Sequence, residues 1–223
     1  MIKKKILIIV AHPDDEVLAP GGTLIKHSLA GDEVFCLILG EGAMSRNDAL
    51  PEDKKILQNE AIEAAKVLGF NGLSFANLPD NSFDSVSLLK IIKTVELYLE
   101  KIRPDIVYTH YENDLNIDHR LTFQAVLTAC RPVNQNCPKE IYTFETLSSS
   151  EWQTSDKKFK SNVYIDIADV IDKKVEALKK YSSEIRRYPH PRSPEGIKIL
   201  AQYRGLESGL RFAEGFYLVR KID

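Results

Sequence analysis

Short apolar runs alternate along this chain with longer amphipathic stretches, the pattern of strands separated by helices. Ile6 to Val10 and Val34 to Leu39 are unbroken apolar runs of strand length, as expected of strands buried on both faces. A helix is predicted from Leu18 to Ala30, stopped by Gly31. Another spans Asp53 to Leu68, with Leu57, Ala61, Ala64 and Leu68 on one face and Gly69 as its C-cap. Leu88 to Glu100 reads as an amphipathic helix before Pro104, and Asp105 to His110 as a strand ending near Thr109. His119 begins a helix through Cys130, with Leu121, Ala125 and Val126 inward. Strands follow at Ile141 to Phe144 and Val163 to Ile167, then a helix from Asp169 to Ile185, a last helix from Pro194 to Gly209 and a strand at Phe216 to Val219. Strands joined through helices imply crossover connections and a mainly parallel sheet.

The chemistry clusters where two of these strands end. His12-Pro13-Asp14-Asp15-Glu16 follows the first strand, and Asn113-Asp114-Leu115-Asn116-Ile117-Asp118-His119 follows the strand introduced by Pro104. In an open parallel sheet the crevice outside the carboxyl ends of the strands is the usual ligand site. A catalytic zinc site needs three protein ligands and an open position for water. His12, Asp15 and His119 would supply two imidazoles and one carboxylate, leaving Asp14 unligated beside the water.

At these residues the chain resembles the LmbE-like, or PIG-L-like, family of zinc-dependent N-deacetylases. The A-H-P-D-D-E motif stands unaltered at Ala11 to Glu16, and Asp118-His119 matches the end of the second motif. Gly21-Gly22-Thr23, Gly40-Glu41-Gly42, Asn59-Glu60-Ala61 through Leu68-Gly69, and Leu78-Pro79-Asp80 are also of the family's type. The resemblance implies a three-layer Rossmann-like α/β fold with helices on both faces of a mainly parallel sheet. It further implies zinc on His12, Asp15 and His119, with Fe2+ or another divalent transition metal as the alternative, and Asp14 as general base. The expected reaction is removal of an N-acetyl group from an amino sugar or N-acetylglucosamine-containing glycoconjugate. The alternatives are an amidase for a non-sugar or thiol-conjugate N-acyl amine, and a non-catalytic sugar-binding descendant.

One departure matters. Many relatives carry H-P-D-H in the second motif, but here the first histidine is replaced by Asn116. Asn116 can donate an amide hydrogen bond to an oxyanion but cannot protonate a leaving amine. His190, in the polar segment Tyr188-Pro189-His190-Pro191-Arg192-Ser193, is the candidate substitute, with His110 as competitor or support for the metal. Asp118 and Asp114 are expected to orient His119. Arg46, Asp80 and Asn81 are candidates for sugar hydroxyls or a phosphate, and Arg192 for an anionic part of the ligand. Leu57 occupies a position where relatives often have arginine.

Composition narrows the reading further. The 223 residues, 43% hydrophobic, are enough for one α/β domain over residues 1–223. A formal charge of −2 argues against a nucleic-acid partner. No run is long enough for a membrane span, and the first apolar run is too short for a signal-peptide core, so a cytoplasmic location is expected. Homo-oligomerisation is left open. Cys36, Cys130 and Cys137 have no Cys-x-x-Cys spacing and read as reduced thiols. Gly21-Gly22 does not make a dinucleotide site, because Gly-x-Gly-x-x-Gly is absent and acids occupy the turn. Gly40-Glu41-Gly42 reads equally as a substrate-facing loop or a plain turn.

Overall fold

The computed structural model describes residues 3–45 and 50–223. β1 (Lys5–Val10) leads through α1 (Asp15–Leu18) and α2 (Gly21–Leu29) to β2 (Glu33–Gly40), and α3 (Pro51–Leu68) to β3 (Gly72–Leu78). α4 (Leu88–Ile102) precedes β4 (Ile106–His110), and α5 (Ile117–Ala129) precedes β5 (Glu140–Phe144). β6 (Val163–Asp166), α6 (Ile171–Lys180), α7 (Pro194–Ser208) and β7 (Ala213–Lys221) follow. The seven strands form one sheet in the order β3-β2-β1-β4-β5-β7-β6. β1 to β5 pair in parallel, while β7 runs antiparallel to both β5 and β6.

The central strand explains the layers. Ile6, Ile8 and Val10 point into a core shared with α2, α3, α6 and α7, whereas Leu7, Ile9 and Ala11 point into a second core under α4 and α5. Burying one such aliphatic side chain contributes about 1.5–3 kcal/mol, so a strand apolar on both faces is held by both helical layers. The result is the three-layer, Rossmann-like α/β arrangement. Among the described residues no helix is long and apolar enough to cross a membrane.

Three elements differ from the pattern reading. β3 is not among the predicted strands, because it is a half-buried edge strand whose residues lack a continuous apolar run. The helix expected from Leu18 to Ala30 is divided at Ala19-Pro20, with Pro20 as the N-cap of α2. The helix expected to reach Ile185 stops at Lys180, after which the side chains of residues 181–184 are engaged by other parts of the chain.

Gly21-Gly22-Thr23 has a structural use. The Glu214 carboxylate accepts the N–H groups of Gly22 at 2.8 Å and Thr23 at 2.7 Å, filling the anion position at the start of α2. The buried Lys174 ammonium donates to Glu214 Oε1 at 2.6 Å and to the Ala19 carbonyl at 2.8 Å. Gly22 is required by close approach, since a Cβ there would lie 2.8 Å from Ile167 Cγ2. This network ties the joint between α1 and α2 to α6 and β7. Replacing Glu214 by Ala leaves the Lys174 charge buried without its carboxylate and is expected to lower the unfolding free energy by about 3–5 kcal/mol, read as a lower denaturant midpoint.

Candidate active site

β1 lies between β2 and β4, at the point where the strand order reverses direction. Chain leaving β1 and chain leaving β4 therefore emerge side by side, and the crevice between them receives both acidic motifs. His12 to Glu16 lie at the end of β1 and the start of α1. Asp114 to His119 lie between β4 and the first turn of α5.

Three donor atoms meet there. His12 Nδ1 is 3.3 Å from His119 Nε2, and Asp15 Oδ2 is 3.6 Å from the first and 3.5 Å from the second. Donors at zinc's usual bond lengths of about 2.0–2.2 Å stand about 3.3–3.6 Å apart along the edges of a tetrahedron. The triangle matches that spacing. All three residues are buried, and their carboxylate and imidazole chemistry suits a divalent transition metal.

Each donor is aimed by another group. The His12 N–H donates to Asp15 Oδ2 at 2.8 Å, which fixes the carboxylate against its own turn. His12 Nε2 is 3.0 Å from Asp118 Oδ2, leaving Nδ1 to face inward. Asp118 was expected to orient His119, but it engages His12 instead. Adjacent residues on a helix diverge by about 100°, so Asp118 and His119 cannot share one direction. The other Asp118 oxygen accepts the Phe83 N–H at 3.0 Å. Asp114 does face His119: its Oδ1 is 3.1 Å from His119 Nδ1, a close polar contact outside good hydrogen-bond alignment.

Charge follows from this packing. Burial would lower the His12 pKa, but hydrogen bonds and charge from Asp118 and Asp15 outweigh it and raise the group to about 10. Burial would raise Asp15, yet the surrounding imidazoles hold it well below the usual carboxylate range. Burial likewise works against Asp114, whose contact with His119 and hydrogen bonds from the Ser149 and Ser150 hydroxyls bring it down to about 2. The acids thus favour positive charge on or beside the imidazoles.

His110 is a supporting residue by its geometry. It is fully buried, stacks on His119 with ring centroids 3.8 Å apart, and accepts the Ala11 N–H on Nε2 at 2.9 Å. Burial and the neighbouring His119 lower its pKa to about 4, consistent with a neutral ring that accepts at Nε2 and meets Thr146 Oγ1 through Nδ1 at 3.2 Å.

Asp14 is different from its neighbours. Neither carboxylate oxygen has a hydrogen-bond partner, although both are buried. Burial raises its pKa well above the ordinary value, the Arg192 charge opposes this, and Asp15, Glu184 and Glu16 add to the rise. It opens on a cavity of about 160 Å3 lined in part by His12, Gly42, Ser45, Leu57, Asp80 and Asn81. Asn116, Glu184 and Arg192 complete its polar side. Gly42 belongs to this wall at φ +64, where a Cβ would lie 2.6 Å from Leu57 Cδ2 and 2.9 Å from Pro13 Cδ. Of the Gly40-Glu41-Gly42 segment, Gly42 lines the crevice, while Glu41 pairs with Lys54 at 2.8 Å.

Other expected residues sort themselves by position. Asp80 accepts the Ser45 N–H at 3.0 Å and lies 3.7 Å from His12 Nε2. Asn81 links Ser45 to Asn116: its amide nitrogen donates to Ser45 Oγ at 2.9 Å, and its oxygen accepts from Asn116 Nδ2 at 3.1 Å. Asn116 Oδ1 accepts the Asp118 N–H at 2.8 Å, so the residue is the N-cap of the helix that carries Asp118 and His119. Arg192 Nη1 stands 3.3 Å from Asp14 Oδ2 and 2.9 Å from Glu184 Oε2. His190, expected to reach the site, is not among the described residues that line the cavity; its Nδ1 accepts the Arg192 N–H at 3.1 Å. Prolines on both sides give His190 a local turn that presents Arg192, rather than the imidazole, to the crevice. Arg46 lies outside the described residues. Pattern reading missed Ser149, Ser150, Glu184 and Tyr181, which are remote in sequence and belong to no local motif.

The sequence and the fold are both similar to those of known proteins. The chain is 28% identical over 234 aligned positions to the diacetylchitobiose deacetylase of Thermococcus kodakarensis, covering 98% of this chain and 84% of that protein. The structure of N,N'-diacetylchitobiose deacetylase from Pyrococcus horikoshii superposes with a TM-score of 0.79 at 25% identity, covering 97% of this chain and 84% of that one. A 4-carboxy-2-hydroxymuconate hydratase from Pseudomonas putida shares the fold at a TM-score of 0.77 and 21% identity, covering 99% of this chain and 98% of that one, so the fold alone does not name the reaction. The model of the PIG-L family, described as GlcNAc-PI de-N-acetylase, matches residues 7–130, which take in most of β1, β2 to β4, both acidic motifs and all of α5, and the chain belongs to that family.

Proposed function

We propose that the protein is a zinc-dependent hydrolase that removes the N-acetyl group of an amino sugar or N-acetylglucosamine-containing glycoconjugate. The observation that carries the reading is the triangle of His12 Nδ1, Asp15 Oδ2 and His119 Nε2 at 3.3–3.6 Å, with the Asp14 carboxylate, which accepts no hydrogen bond, beside it. The deacetylases to which the chain is similar support the acetyl amide and the sugar. The polar lining of the cavity supports a hydroxylated ligand rather than an apolar N-acyl amine.

His12, Asp15 and His119 would hold the metal. Zinc, when bound there, supplies a Lewis acid that lowers the pKa of water and polarises a carbonyl. Asp14 takes the proton of the attacking water, a role suited to a carboxylate whose burial raises its basicity. The same group returns that proton to the nitrogen as the C–N bond breaks, releasing acetate and the free amine. Arg192 and Asn116 are the cation and the amide donor on the cavity wall, and they take the part of the imidazole that many relatives carry at the position of Asn116. Asp80 and Asn81 face the sugar hydroxyls.

Purified protein is expected to hold about one zinc per chain, with His12→Ala losing most of it in metal analysis; equal metal in both would remove the ligand assignment. Asp14→Asn should keep the metal and lose on the order of 100-fold or more in turnover. Acetate release measured across free N-acetylglucosamine, N,N'-diacetylchitobiose and lipid-linked or nucleotide-linked derivatives tests the substrate class. Release confined to non-sugar N-acyl amines would move the reading to a general amidase.

A further inference from the structure

Asp14 adopts φ +101° and ψ −26°, a region that a residue with a Cβ rarely occupies. Such a conformation is strained and persists only where its surroundings over-determine it. The constraint on the backbone is visible. The Asp14 N–H donates to Glu16 Oε2 at 3.1 Å, and the other oxygen of Glu16 accepts the Tyr181 hydroxyl at 2.5 Å. Glu16 is 1% exposed and Tyr181 0%, so no water competes for either bond. Glu16 accepts at both oxygens and links the two donors rigidly.

Tyr181 stands 165 positions from Glu16, at the C-cap of α6 and beyond the 7–130 span of the family match. The residues that follow it are anchored as well. The Ser182 hydroxyl donates to Glu60 Oε1 at 2.5 Å, and the Ser183 N–H donates to the same oxygen at 3.0 Å. Glu184 accepts from Arg192, which stands against the Asp14 carboxylate. One short strap therefore grips Asp14 at both ends, the backbone through Tyr181 and Glu16, and the side chain through Glu184 and Arg192.

We propose that Tyr181, acting through Glu16, is a positioning residue that holds Asp14 in its left-handed conformation and so aims its carboxylate at the reacting water. This rests on the assignment of proton transfer to Asp14. A misplacement of about 1 Å in a reacting group can cost about 100-fold, and loss of one hydrogen bond in the chain should produce part of that.

The test is a cycle of four proteins: wild type, Tyr181→Phe, Asp14→Asn and the double variant, assayed on the N-acetylglucosamine derivative turned over fastest, with metal content measured on each. Tyr181→Phe is expected to lower kcat about tenfold with KM within about twofold and metal unchanged. In the Asp14→Asn background the same change should have no further effect. A kcat within twofold of wild type, or a loss that persists in the double variant, overturns the proposal. If Asp14→Asn alone keeps the wild-type rate, it is the proton-transfer assignment that falls.

Two further measurements guard against a variant that fails to fold or an assay that fails. Glu16→Gln retains an oxygen for the Asp14 N–H and an amide for the Tyr181 oxygen, whereas Glu16→Met fills similar space without either. Gln should exceed Met in kcat by tenfold or more, and equal rates overturn the proposal. Crystal structures of wild type and Tyr181→Phe need no turnover: Asp14 should hold positive φ in the first and relax in the second, and an unchanged Asp14 in the variant is the contrary result.

Discussion

The structure depends on confining negative charge at the switch point of the sheet. Asp14, Asp15, Asp114 and Asp118 are all buried, and so are the three imidazoles among them. Carboxylates removed from water are costly unless each is paired or hydrogen-bonded. Here the compensation is specific. Asp118 receives His12 and the Phe83 N–H, Asp114 receives the Ser149 and Ser150 hydroxyls, and Asp15 receives the backbone of its own turn. Only Asp14 accepts no hydrogen bond at either oxygen, its compensation being the Arg192 guanidinium 3.3 Å from Oδ2. The same desolvation that makes the cluster expensive thus separates one acid from three, and it makes that acid basic.

The remainder of the fold stabilises this arrangement from several directions. Glu214 and Lys174 fasten the start of α2 just beyond the first motif, and His110 packs as a neutral slab against His119. The turn after β5 delivers the two serines, and the strap after α6 delivers Tyr181 and Glu184. Elements from the latter part of the chain therefore support candidate groups that lie between His12 and His119. The family match over residues 7–130 covers the motifs and His110 but not Ser149, Ser150, Lys174, Tyr181, Glu184 or Glu214.

Asn116 serves two local contacts at once. Its carbonyl caps α5 and its amide reaches Asn81, so the side chain joins the helix that carries Asp118 and His119 to the loop that carries Asp80. Asparagine is a strong N-cap because its short side chain reaches the free N–H groups of the first turn. Arg192, just after a proline-bracketed segment, places a positive group on the cavity wall.

The order of apolar runs determined most strands and helices, because a strand buried on both faces must be continuously apolar and a covering helix must be apolar on one side. It also determined His12, Asp14, Asp15 and His119 as the reactive candidates, since their residue types follow directly on strand ends. Tertiary structure alone decided which acid serves which histidine. Asp118 and His119 are neighbours in sequence but diverge around the helix, and only the packing of α5 against the end of β1 turns Asp118 toward His12. It alone left His190 out of the cavity wall and brought Arg192 into it. It alone stopped α6 at Lys180, where Tyr181, Ser182, Ser183 and Glu184 meet Glu16, Glu60 and Arg192. Those contacts join residues far apart in the chain, and local periodicity carries no record of a partner that only folding brings within hydrogen-bond distance.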